Sequence, residues 1–177
     1  EGWTLSESSF IGIFSFTRFI MWNDLRNRKE DLLKNDIVKS LVDNRIAFKN
    51  KNEPVNINDL DLMLAPNKYA IPLMADSSQT EAIVDASRGL SFVLNGPPGT
   101  GKSQTITNMI INSLYNKKTV LFVAQKMAAL EVVKKRLDET GIGAFCIELH
   151  SNKAQKSDVL NQIKRILDIG KLKKPEE

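Results

Sequence analysis

The stretch Gly96-Pro97-Pro98-Gly99-Thr100-Gly101-Lys102-Ser103 constrains this chain more than any other, because of what stands on either side of it. An apolar run, Ser91 to Asn95, leads directly into it. An amphipathic run, Lys102 to Tyr115, leaves it with Ile106, Met109, Ile110 and Leu114 on one face. The order is therefore strand, glycine-rich turn, helix. Successive backbone N–H groups in such a turn converge on an anion. The glycines allow the backbone angles and put no side chain between turn and anion, and the free N–H groups and dipole of the helix start add to the attraction. Pro97 and Pro98 stiffen the approach. The eight residues fit G-x-x-x-x-G-K-[ST], the pattern of a triphosphate cradle, in which Lys102 bridges the β and γ phosphates and the Ser103 hydroxyl ligates Mg²⁺. The sequence thus predicts nucleotide contacts from Gly96, Pro97, Pro98, Gly99, Thr100, Gly101, Lys102 and Ser103, with Gln104 beside them. Lys102 and Ser103 stand at the reacting phosphate.

The surrounding chain reads as two regions and a tail. Residues 1–75 read as a helical and loop extension, with helices over Thr17 to Arg26 and Lys29 to Phe48, and a polar loop at Lys49 to Asn58. In the second helix Leu33, Ile37 and Leu41 recur at helical spacing. Trp3, Phe10, Phe14, Phe16, Phe19 and Trp22 cluster at the front, which predicts a segment that packs against something else. Residues 76–170 read as a nucleotide-binding core. Ser78-x-x-Glu81 fits a capping box, opening a helix that ends before Gly89. Thr119 to Ala124 and Ala144 to Leu149 read as further strands, and Met127 to Thr140 and Ser157 to Ile169 as helices. Strands alternating with helices predict an α/β fold, a parallel sheet flanked by helices with right-handed crossovers. Residues 171–177 read as a frayed tail.

Composition narrows the class without naming it. The 177 residues are 42 % hydrophobic and 26 % charged, as in an ordinary globular protein. A formal net charge of +4 permits an anionic partner. One cysteine, Cys146, forms no internal disulfide, so nothing asks for an oxidising compartment. Phe10 to Trp22, the most apolar early stretch, is interrupted by Arg18 and falls short of the roughly 20 residues a membrane span needs. A cytoplasmic chain without a membrane partner is expected. Because the first residue is Glu1, the chain reads as a piece of a longer protein, with a cleaved precursor as the rival reading.

Hydrolysis of a triphosphate usually needs an acidic group at a strand end to hold Mg²⁺ and position water. Asp138-Glu139 falls at the end of a helix. Glu148 is the acidic residue in a strand-like element, and an outward-facing strand position is its plainer explanation. His150, the one histidine, follows that strand, where a structural hydrogen bond is the plainer role. Cys146 is expected to be buried and inert.

Gln79, a helix and then GPPGTGKS resemble the start of a superfamily 1 helicase motor, of the branch of RNA- and DNA-unwinding enzymes of nonsense-mediated-decay type. The wording KMAALEVVKKRL followed by IELHS is also similar to a group of large bacterial helicase-related proteins. The resemblance covers about residues 70–170. It implies a RecA-like P-loop NTPase core, here incomplete, that uses ATP and Mg²⁺ and acts on single-stranded or duplex nucleic acid, DNA or RNA. It implies that Gln79 reads the adenine edge. It implies a nucleic-acid phosphate contact near Lys126, in a loop whose Gln125, Lys126 and Met127 depart from the hydroxyl and Asn residues usual there, and another at His150 and Ser151. The acidic Mg²⁺ motif, the second motor domain and its arginine lie outside the matching segment. A chain without them is expected to bind nucleotide and not to turn it over efficiently. Two other readings compete: a ring-forming AAA-type or other P-loop ATPase, and a non-enzymatic nucleotide-dependent interaction module.

Overall fold

A computed structural model describes residues 3, 7–9, 12, 16–43, 48–65, 67–97, 99–149 and 156–169. The chain divides into two compact units, residues 1–49 and 50–177.

In the first unit, α1 (Thr17–Asn27), α2 (Lys29–Leu32) and α3 (Asp36–Asp43) follow one another. The single helix expected over 29–48 is broken because the Asn35 side chain accepts from the N–H groups of Ile37 (3.0 Å) and Val38 (3.2 Å), starting a new helix there. On α1, Phe19 and Trp22 lie with ring centroids 5.7 Å apart, and the Arg26 guanidinium sits 5.2 Å from the Trp22 ring centre. Both rings remain half exposed or more. Phe10 and Phe14 of the expected aromatic cluster lie outside the described residues.

The second unit is built around one helix. After a 3-10 turn (Ile57–Asp59) and the short α4 (Leu60–Met63) come α5 (Ser77–Ser87), α6 (Lys102–Tyr115) and α7 (Met127–Glu139). A second 3-10 turn (Gly143–Phe145) and α8 (Lys156–Ile169) follow. Helix α6 packs against both α5 and α7. Its Ile110 and Ile111 form a core with Val133 and Leu137 of α7, to which Ile106, Leu114, Phe122 and Cys146 add. Val84 of α5 forms a second core with Val55 and Leu60. The 50–55 segment is tied to α5: Asp85 Oδ1 accepts from Val55 N (2.9 Å), and Asn52 Nδ2 donates to Arg88 O (2.9 Å).

The parallel sheet is not observed. Among the described residues there is no strand, and no backbone hydrogen bond joins the three apolar runs. A ladder needs a neighbour's main-chain groups in register, and here side chains take some of those groups instead. Ser91 N donates to Asn50 Oδ1 and Asn50 Nδ2 donates to Ser91 O, each at 2.8 Å. Glu148 N donates to Gln162 Oε1 of α8 at 2.9 Å. The start of the third run, expected as a strand from Ala144, is a 3-10 turn. Two runs nevertheless keep a strand's two-residue alternation: Phe122 and Ala124 face inward between exposed Leu121 and Val123, and Cys146 and Glu148 between exposed Phe145, Ile147 and Leu149. Glu148 is thus half-buried and turned inward, not outward.

Candidate nucleotide site

The site begins with a turn that closes on itself. Thr100 donates from its N–H (3.4 Å) and its hydroxyl (2.8 Å) to the Pro97 carbonyl. A Cβ at Gly96 would stand 2.6 Å from Thr100 Oγ1, so a side chain there would displace the hydroxyl that bonds the Pro97 carbonyl. Gly99 and Gly101 have φ of +89° and +76°, in the left-handed region glycine tolerates. Pro98 lies outside the described residues.

Gly101 caps α6, and the first helical bond runs from Thr105 N to Gly101 O at 2.9 Å. The N–H groups of Lys102, Ser103 and Gln104 therefore precede the ladder and have no acceptor within their own helix. They stand at the positive end of a helix of 14 residues. Lys102 is exposed and Ser103 half-buried in this first turn. The Gln104 side chain, by contrast, turns away from the turn and donates from Nε2 to the Met74 carbonyl.

Gln79 enters from α5. The capping box lies two residues earlier than expected: the cap is Asp76, whose Oδ1 accepts from Gln79 N (2.8 Å), and Gln79 Oε1 accepts from Asp76 N (3.2 Å). Ser77 opens the helix, so Ser78 lies inside it and its hydroxyl serves Asp76 Oδ1 at 2.7 Å. Hydrogen bonds from Gln79 N–H and the Ser78 hydroxyl hold the Asp76 carboxyl below its ordinary value of 3.8. Gln79 Nε2 then donates to Thr100 O at 3.0 Å. A Cβ on Gly101 would stand 2.7 Å from that nitrogen. The Gln79 amide is thus seated on the turn.

Of the other sequence candidates, Lys126 is exposed and caps α7 with extended backbone, and its carbonyl accepts from Ala129 N at 3.1 Å. His150 and Ser151 lie outside the described residues. Glu148 is engaged elsewhere: Lys134 Nζ lies 3.5 Å from Glu148 Oε1 and 2.7 Å from Asp138 Oδ1. Partial burial of Lys134 opposes its charge, but the two carboxylates outweigh this and raise it above the ordinary lysine range. Burial pushes the Cys146 thiol up, with Lys134 pulling the other way, so this thiol is poorly nucleophilic. Among the described residues no group of three or more His, Cys, Asp or Glu side chains could hold a metal, and no helix is long and apolar enough to cross a membrane.

Sequence reasoning missed Asp76 and the buried Asn108 and Asn112. Asp76-x-x-Gln79 fits the capping-box pattern as well as Ser78-x-x-Glu81 does, so pattern alone left the register open. The two asparagines were detectable as amides four residues apart beside the apolar Ile106, Ile110 and Ile111.

Residues 74–171 match a family model described as an AAA domain. The chain is 34% identical over 136 residues to an uncharacterised ATP-dependent helicase of Mycoplasma pneumoniae and 32% identical over 136 residues to one of Mycoplasma genitalium. Each match covers 75% of this chain and 11% of the relative. It is 26% identical over 151 residues to the ATP-dependent helicase NAM7 of Saccharomyces cerevisiae, covering 82% of this chain and 15% of that protein. No solved structure matches the chain.

Proposed function

The chain belongs to the AAA domain family, and on that footing we propose that it is the ATP-binding segment of an ATP-dependent nucleic-acid helicase or translocase. The observation that carries the reading is the seat of Gln79 on the phosphate turn, 3.0 Å from Thr100 O. It joins a base-reading side chain to a phosphate-binding loop in one rigid unit.

The amide has a fixed orientation. Oε1 faces the Asp76 N–H and Nε2 faces the Thr100 carbonyl. Flipping it would set donor against donor and acceptor against acceptor. An amide has two donor hydrogens and two acceptor lone pairs, so one of each is left for a ligand. Adenine offers N7 as acceptor and its N6 amino group as donor, whereas guanine offers two acceptors, N7 and O6. A locked amide that accepts and donates side by side therefore selects adenine. The N–H groups of Gly101 to Gln104 and the Lys102 ammonium would hold the phosphates, and Ser103 would hold Mg²⁺, which supplies charge neutralisation at the phosphate oxygens.

Nucleic acid as partner, a second motor domain and a cytoplasmic setting belong to the same reading. The helicase names of the relatives favour it over a ring-forming ATPase. Lys126, exposed at the start of α7, is the residue we assign to a nucleic-acid phosphate. Efficient turnover is not expected of this chain alone, because no carboxylate is assigned to hold Mg²⁺ and position water at the phosphate site.

Calorimetric titration with Mg·ATP tests the site. Binding by the wild type and its loss in Lys102→Ala are expected. Equal affinity of the two proteins would remove the assignment.

A further inference from the structure

The face of α6 that bears Asn108 and Asn112 is bonded along its length to the main chain of 67–74. Tyr115 donates its hydroxyl to Asn67 O at 3.1 Å, and Asn112 Oδ1 accepts from Ala70 N at 3.0 Å. Asn108 takes both groups of one residue: Oδ1 accepts from Leu73 N (3.1 Å) and Nδ2 donates to Leu73 O (2.9 Å). Gln104 then bonds the Met74 carbonyl. Gln104, Asn108 and Asn112 fall four apart, one above the other on the helix.

Apolar side chains at these positions would supply burial without direction. Asn108 is 0 % exposed and Asn112 1 % exposed, and burying an amide is tolerated only with its partners in place. The ladder therefore fixes the height of each main-chain unit along α6, which packing alone would let slide. Two residues beyond Met74 stands Asp76, whose N–H orients Gln79 Oε1, and Gln79 returns to Thr100 at the start of α6. The bonds form a closed circuit: helix, ladder, segment, cap, Gln79, turn.

We propose that Asn108 is a positioning residue for nucleobase selection, setting the register of 70–76 on α6 and, through Asp76, the orientation of the Gln79 amide. The proposal rests on the reading of Gln79 as the adenine contact. Asn108 itself touches no nucleotide, and its effect is confined to the base end of the site. Beside the bond from Gln79, the phosphate turn has its own two bonds from Thr100 to the Pro97 carbonyl, which do not pass through Asn108.

The test is calorimetry on the chain with ATP, GTP and inorganic tripolyphosphate, comparing wild type, Asn108→Leu and Gln79→Ala, each checked for a cooperative thermal melt. In Asn108→Leu the preference for ATP over GTP is expected to fall about tenfold, with tripolyphosphate affinity unchanged within about twofold. A tripolyphosphate affinity that falls in step with ATP would show that the ladder supports the phosphate turn itself and would overturn the proposal. So would an unchanged preference in Asn108→Leu beside a lost one in Gln79→Ala, which would leave the reading of Gln79 standing. A wild type that binds tripolyphosphate but does not distinguish ATP from GTP sinks both. Should Asn108→Leu fail to melt cooperatively, Asn112→Ala, which removes the bond from Ala70 N and one from Asn116 Nδ2, takes its place. A smaller fall in preference is then expected, and none overturns the proposal.

Discussion

Gln79 Nε2 donates to the carbonyl oxygen of Thr100 across 3.0 Å, tying the first turn of one helix to the loop that opens the next. The same amide accepts from Asp76 N, so its two ends are told apart by their surroundings. Seated in this way, Gln79 presents its Nε2 donor to the turn while its Oε1 acceptor is held by the cap of its own helix.

Replacing Gln79 by Glu puts a second oxygen against the Thr100 carbonyl where a donor now stands. Gln79→Glu is expected to weaken ATP binding about tenfold and to lose most of the preference over GTP. Gln79→Ala is expected to lose the preference with a smaller loss of ATP affinity. Competition titrations with the two nucleotides read both effects, and a Glu variant that keeps the preference contradicts the locked-amide account.

Lys102 is exposed, and its ammonium is assigned to the phosphates. Lys102→Ala is expected to cost about 2–3 kcal/mol of Mg·ATP binding, the scale of a lost charged hydrogen bond, while the melting temperature of the free protein stays within a degree or so of wild type. A large drop in the melting temperature would mean that the lysine is structural.

Gly101 and Gly89 give a matched comparison. Both lie at positive φ, +76° and +84°, so alanine at either pays about 1–2 kcal/mol for the left-handed backbone. Only at Gly101 would the new Cβ meet a neighbour, Gln79 Nε2 at 2.7 Å, whereas at Gly89 it meets nothing within 4 Å. Gly101→Ala is therefore expected to disturb base preference as well as stability, and Gly89→Ala stability alone. Denaturant melts paired with ATP and GTP titrations separate the two, and identical behaviour would refute the contact.

The Asp76 carboxylate is stabilised in the folded state, below its ordinary value of 3.8. A depressed folded value means that the cap's contribution is fully present above that ordinary value and is lost as pH falls through the folded one. Helix content and ATP preference should hold down to about pH 4 and fall together below it. Asp76→Asn retains an acceptor that does not titrate, so its acid loss should be shallower. Circular dichroism against pH for the two proteins checks this, and coincident curves would exclude Asp76 as the titrating group.

Glu148 offers a control for metal chemistry. It lies 3.5 Å from Lys134, a partly exposed pair of the kind worth under about 1 kcal/mol. Glu148→Gln is expected to lower stability by no more than that and to leave the Mg²⁺ dependence of ATP binding as in wild type. A shifted Mg²⁺ requirement would give Glu148 the metal role that its pairing argues against.

The sequence by itself determined the phosphate turn and α6 from Lys102 to Tyr115, because each rests on local signals, glycine at fixed spacing and helical periodicity, whereas Gln79 enters only through the family resemblance. It also marked 91–95, 119–124 and 144–149 as apolar runs, and the alternation of Phe122 and Cys146 keeps that signal. Whether such runs pair is a relation between distant segments, and the tertiary structure decided it against the sheet, with Asn50 and Gln162 taking main-chain groups a ladder would use. It also decided the register of the cap, read along the chain as Ser78-x-x-Glu81 and formed by Asp76 and Gln79, and the bonding of Asn108 to Leu73, 35 positions away in sequence. A capping motif can be read along the chain because its partners are neighbours there. The orientation of the Gln79 amide was decided only in three dimensions, because the carbonyl that fixes it belongs to a loop 21 positions further on.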